Sequence, residues 1–115
     1  MSDGALSNNG WPFRCEVSPD GDSVAIRLHG ELDVATAPEV DSAFADVAER
    51  RVPIMLDLRG LTFMDSRGIR MLVSFNEQAL ASGFSFTISC GDRIGRLLAL
   101  TGVDRHLSVV QLPGD

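Results

Sequence analysis

One stretch, Pro53-Ile54-Met55-Leu56-Asp57-Leu58, constrains the fold more than any other. It is short, nearly continuously apolar and flanked by segments of helical periodicity. A strand apolar at successive positions is expected at the centre of a sheet, covered on both faces. Upstream, Thr36-Ala37-Pro38-Glu39 fits a capping box, with Thr at the cap and Glu three residues on. Val40, Ala43, Phe44, Val47 and Ala48 follow at helical spacing, and Arg50-Arg51 suit a helix C-terminus. Pro53 stops that helix.

Downstream, Ile69, Leu72, Val73, Asn76, Ala79 and Leu80 share one helical face, which Gly83 is placed to end in a left-handed conformation. Phe84, Phe86, Ile88 and Cys90 alternate with polar residues as a half-buried strand. Asp92 is placed to cap a third helix bearing Ile94, Leu97 and Leu98, with Gly102 as its stop and Leu107–Leu112 as a last strand. Before the first helix, Phe13–Val17 and Val24–Gly30 read as a hairpin around Ser18-Pro19-Asp20-Gly21-Asp22.

The resulting order, ββαβαβαβ, predicts an α/β fold: one domain with a mixed open sheet of about five strands and helices packed on it. Residues 1–12 are small and polar and read as a flexible tail, and 13–113 as the domain.

Several function classes are disfavoured. The net charge of −6 argues against direct nucleic-acid binding, which needs clustered basic residues. All ten basic residues are Arg. No apolar stretch approaches the roughly 20 residues that span a bilayer, and no secretory signal is visible, so a cytoplasmic location without membrane insertion is expected. Cys15 and Cys90 match no metal or redox spacing and read as structural thiols. His29 and His106 lack companions at ligand spacing, so neither a metal nor a cofactor is expected.

The candidate chemistry centres on Met64-Asp65-Ser66-Arg67-Gly68. A nucleophile elbow would need a Gly where Met64 stands, and no histidine lies in a triad signature, so a hydrolase reading is weak. Asp33, Asp57 and Asp65 could meet at one end of the sheet as a Mg²⁺ site, yet the Lys of a phosphate-receiver pattern is missing. Ser66 itself has two readings, a helix N-cap or a site of modification, with Asp65 as a loop acceptor.

Leu-Asp-Leu, a short apolar connection, Asp-Ser, then Gly and an amphipathic helix resembles the signature of the STAS family, specifically the bacterial anti-sigma factor antagonists. Gly30-Glu31-Leu32-Asp33 with Ala37-Pro38, and Leu98 to Asp104, resemble further pieces of that family in the same order. The resemblance implies a regulatory protein that is not an enzyme. It implies binding to an anti-sigma factor that is also a serine kinase, release of that factor's sigma factor, phosphorylation at Ser66 as the off-switch, and a PP2C-type phosphatase that reverses it. Asp33, Asp65, Ser66, Arg67 and Gly68 are the expected partner-facing residues. Arg67 and Arg70 depart from the small residues common there. A second possibility is a STAS scaffold or regulatory subunit of a stress-signalling or lipid-transport complex.

Overall fold

A computed structural model of the protein describes residues 5–112. Residues 1–4 of the expected tail and residue 113 of the expected domain lie outside the described residues. The sheet has six strands, in chain order from one edge to the other. They are β1 (Ala5–Leu6), β2 (Pro12–Asp20), β3 (Ser23–Leu32), β4 (Ile54–Met64), β5 (Phe86–Cys90) and β6 (Val109–Gln111). β1, β2 and β3 pair antiparallel, whereas β3 to β6 pair parallel. The parallel steps are bridged by α1 (Ala37–Ala48), α2 (Ser66–Ser82) and α3 (Asp92–Thr101).

Because those three crossovers advance in one direction, right-handed connection places all three helices on one face. Val24, Ile26, Leu28, Ile54, Leu56, Leu58, Phe86 and Ile88 point into that layer and are buried. Phe44 of α1 stacks on Phe75 of α2 with centroids 3.9 Å apart, and Phe86 meets Phe44 edge-on at 5.7 Å. Such offset aromatic packing adds to burial itself. β4 is therefore central but has helices on one side only. Its other face carries half-buried Met55 and a paired carboxylate at Asp57, so the apolar run does not signal cover on both faces.

Four expectations change. Residues 5–12 are not a loose tail: β1 pairs with β2, and Ser7, 5% exposed, donates to Glu31 Oε1. β2 runs through Pro19 to Asp20, so the hairpin turn shrinks to Gly21-Asp22. Pro19 is tolerated there because its partner Val24 sends its N–H to Pro53 O instead, and β1 reaches only the first residues of β2. β4 continues past Leu58 to Met64, with register shifts against β3. Gly60 permits this, since a Cβ there would lie 2.7 Å from the Leu28 carbonyl oxygen and 2.5 Å from His29 Nδ1. Finally, Leu80 is 74% exposed; the buried face of α2 runs through Met71, Leu72, Phe75 and Ala79.

Candidate functional site

In a parallel α/β layer the helix N-termini gather where the strands end. Here the β3–α1 loop, the start of α2 and the start of α3 share that end of the sheet.

With β4 running to Met64, a single residue, Asp65, links strand to helix. Asp65, not Ser66, is the N-cap: its backbone is extended, and its Oδ1 accepts from Arg67 N at 3.0 Å and Gly68 N at 3.2 Å. Asp65 N in turn donates to Leu32 O. Ser66 is thus the first helical residue, and it is exposed. Asp65 already takes two N–H groups of that first turn, and a group on Ser66 Oγ would stand near the positive end of a 17-residue helix.

Gly68 is buried, and its reason is packing: a Cβ there would stand 2.5 Å from Met64 Cγ and 3.1 Å from Leu32 Cδ2. It brings α2 down onto the strand ends. Asp33 is buried too. At 3% exposure it organises the loop before α1, accepting from Ala35 N and Thr36 N on Oδ1 and from Asn8 N on Oδ2. The Thr36 hydroxyl is bound into the same turn, accepting from Asp33 N and donating to Glu31 O. The expected capping box with Glu39 does not form, because that hydroxyl is engaged upstream. Asp92 is also one residue inside its helix; Gly91 is the cap, and Asp92 accepts from Gln111 Nε2.

Asp57 lies apart, on the open sheet face. Arg59 grips it with Nε and Nη2 at 3.1 and 3.0 Å, and Arg27 Nε stands 3.6 Å away. Burial alone would raise this carboxyl, but the hydrogen bonds and charge of Arg59, with Ser89, hold it below the usual carboxylate range. The three aspartates therefore do three separate jobs, and among the described residues no group of three His, Cys, Asp or Glu is disposed to hold a metal. The His29 ring faces Glu16 at 3.4 Å, on the hairpin, away from Ser66. Cys15 and Cys90 are both free. Burial first, then Glu39 and Glu16, pushes the Cys15 thiol up to about 11, which leaves it protonated and unreactive near neutrality.

Ser66 and Arg67 are exposed, as are Val34 and Ala35 on the neighbouring loop. Beside them is a feature the sequence reading misses: a groove of about 280 Å³ between Thr62–Met64 and α3, lined by Phe63, Arg93, Arg96, Leu97 and Leu100. The available signal was Leu100, which falls outside the buried stripe of α3 and is 80% exposed.

The family model described as Mlab, STAS domain, matches residues 15–112. The anti-sigma-B factor antagonist of Bacillus subtilis (strain 168) is 25% identical over 89 residues, covering 76% of this chain and 82% of that protein. Its namesake in Staphylococcus aureus (strain NCTC 8325 / PS 47) is 29% identical over 85 residues, covering 68% and 74%. The crystal structure of an anti-sigma factor antagonist from Mycobacterium paratuberculosis superposes with a TM-score of 0.79 at 20% identity, over 90% of this chain and 88% of that one. SpoIIAA in its unphosphorylated form gives 0.69 at 18%, over 87% of each. At those identities the likeness to solved structures is one of fold. The match to the family model spans nearly the whole chain: this protein belongs to the STAS-domain family.

Proposed function

We propose that this protein is an anti-sigma factor antagonist. Its strand-end face binds an anti-sigma factor with serine kinase activity and frees the sigma factor that the kinase holds. Phosphorylation of Ser66 ends that binding, and a PP2C-type phosphatase restores it. The protein acts by docking in the cytoplasm, not by catalysis.

One observation carries this reading. Ser66 is exposed on the first turn of a helix of which two N–H groups, those of Arg67 and Gly68, are already bonded by Asp65. A phosphate there adds about −1.5 to −2 charges without disturbing the core. A partner covering it would have to desolvate that charge, and the exposed Arg67 beside it offsets only part of that cost. A 100-fold loss of affinity needs only about 2.7 kcal/mol, which one buried, poorly paired charge can supply. The names of the relatives from Bacillus and Staphylococcus support the same reading. Incubation with ATP and purified anti-sigma factor kinases, followed by mass spectrometry, tests it. Phosphate is expected on Ser66 and absent from Ser66→Ala; modification elsewhere, or none, contradicts the reading.

A second reading has its own support. The matching family model is described as Mlab, and exposed Arg67 stands where the resemblance leads one to expect a small hydroxyl residue. In that case the same face is a scaffold in a stress-signalling or lipid-transport complex, and Ser66→Ala and authentic phosphoprotein assemble equally well.

A further inference from the structure

Charge is segregated over the helical layer. α1 carries Glu39, Asp41 and Asp46 and no basic residue. α2 opens with Arg67 and Arg70, and its one acid, Glu77, lies two turns further on. α3 carries Arg93 and Arg96 against a single acid, Asp92, which is bonded to Gln111. Among the described residues none of these four arginines joins an ion pair. On a chain of net charge −6, Arg93 and Arg96 line the apolar groove beside β4, while Arg67 and Arg70 border a separate depression with Asp41 of α1. The groove's wall at Met64 stops two residues before Ser66. Arg93 Nη1 reaches Thr62 O at 3.4 Å, so one guanidinium is held at the groove's lip. Phe63 is 44% exposed, although it sits in a strand.

We propose that the docking face extends from Ser66 into this groove, and that its occupant is an acidic amphipathic helix of a protein partner. An apolar side chain of that helix enters between Phe63 and Leu97, and carboxylates one turn away meet Arg93 and Arg96. The proposal rests on the reading that this end of the sheet docks the partner, and it specifies the partner's chemistry. A groove of this volume and apolar lining admits side chains. An apolar residue flanked by carboxylates at i±3 or i±4 is what an amphipathic helix presents. An anionic bilayer fits less well. It is flat where the groove is concave, and it would bring its charge against the acids of α1 in the same layer. The opposed charges also orient the approach and raise the association rate at low salt.

The test uses the full chain, ¹⁵N-labelled, with three probes. These are a synthetic helical peptide of leucine and glutamate, its counterpart with lysine for glutamate, and phosphatidylserine–phosphatidylcholine vesicles. The glutamate peptide is expected to bind saturably, with the largest amide shifts at Phe63, Leu97 and Leu100, and the lysine peptide is not. Arg93→Glu with Arg96→Glu is expected to weaken binding about tenfold or more, as is a rise in salt. Leu100→Ser, a change at an exposed position, is expected to weaken it without altering the charge. No binding of the glutamate peptide, equal binding of both peptides, or vesicle binding that the arginine changes abolish would overturn the proposal. The outcome is separable from the Ser66 switch, which is read with the kinase and phosphate, not with these probes.

Discussion

Replacing Asp33 by Ala removes the acceptor on which the β3–α1 loop is built. Three backbone N–H groups lose a carboxylate partner: Asn8 at 2.8 Å, Ala35 at 2.9 Å and Thr36 at 3.3 Å. A bond to a charged acceptor contributes about 1.5–3 kcal/mol. The three do not add in full, because Asn8 and Ala35 belong to exposed residues that water can reach, and Thr36 N retains Asp33 O at 3.2 Å. The net expected loss is about 2–3 kcal/mol. Asp33→Asn keeps one acceptor oxygen but turns an NH₂ toward one set of donors, and is expected to cost about 1 kcal/mol. Urea unfolding followed by circular dichroism measures both, with Trp11, the sole tryptophan, reporting locally on the N-terminal segment. Amide exchange at Asn8 and Ala35 should accelerate in the Ala variant before global unfolding. A loss below about 1 kcal/mol for Asp33→Ala would refute the organising role. Lost kinase binding with stability intact would instead make Asp33 a direct contact.

Gly68→Ala is expected to destabilise by about 1–2 kcal/mol, because overpacking against Met64 and Leu32 outweighs the ~1 kcal/mol helix-propensity gain of Ala. In a Met64→Ala background the same change should become neutral or stabilising in urea titrations. Asp65→Ala removes the cap and should cost about 1 kcal/mol, with faster amide exchange at Arg67 and Gly68. The Asp57 carboxyl sits below its ordinary value when folded, so its contribution is fully present above about pH 4 and lost as pH falls through the lowered value. The stability gap between the protein and Arg59→Ala should therefore narrow in acid titrations below about pH 4; a gap that widens there would contradict the pairing.

Much of the fold is legible in the chain because hydrophobic period carries it. All three helices and the strands β2 to β6 exist in the expected order, with α2 and α3 ending at Gly83 and Gly102, although several strand bounds differ. What escapes is set by contacts remote in sequence. β1 exists because Ser7 and Asn8 find Glu31 and Asp33 across the hairpin, which no local pattern announces. The extension of β4 depends on Gly60 lying under His29. Two helix starts shift by one residue, at Ser66 and Asp92, because an extended residue before each takes the cap. Within the site, Ser66 and Arg67 face solvent as expected, and Asp65 is the cap that presents them. The burial of Asp33 and Gly68 is not legible, since residue type alone does not distinguish an exposed carboxylate from one spent on backbone N–H groups. The groove at Phe63 and Leu100 becomes visible only once β4 and α3 lie side by side.

The account turns on whether covering one esterified oxygen is too costly for the partner. Calorimetric titration of an anti-sigma factor kinase that modifies this protein, comparing unmodified chain with chain quantitatively phosphorylated on Ser66, measures that cost. A weakening of about 100-fold or more with unchanged circular dichroism is the predicted result. Equal affinities for the two forms would contradict it.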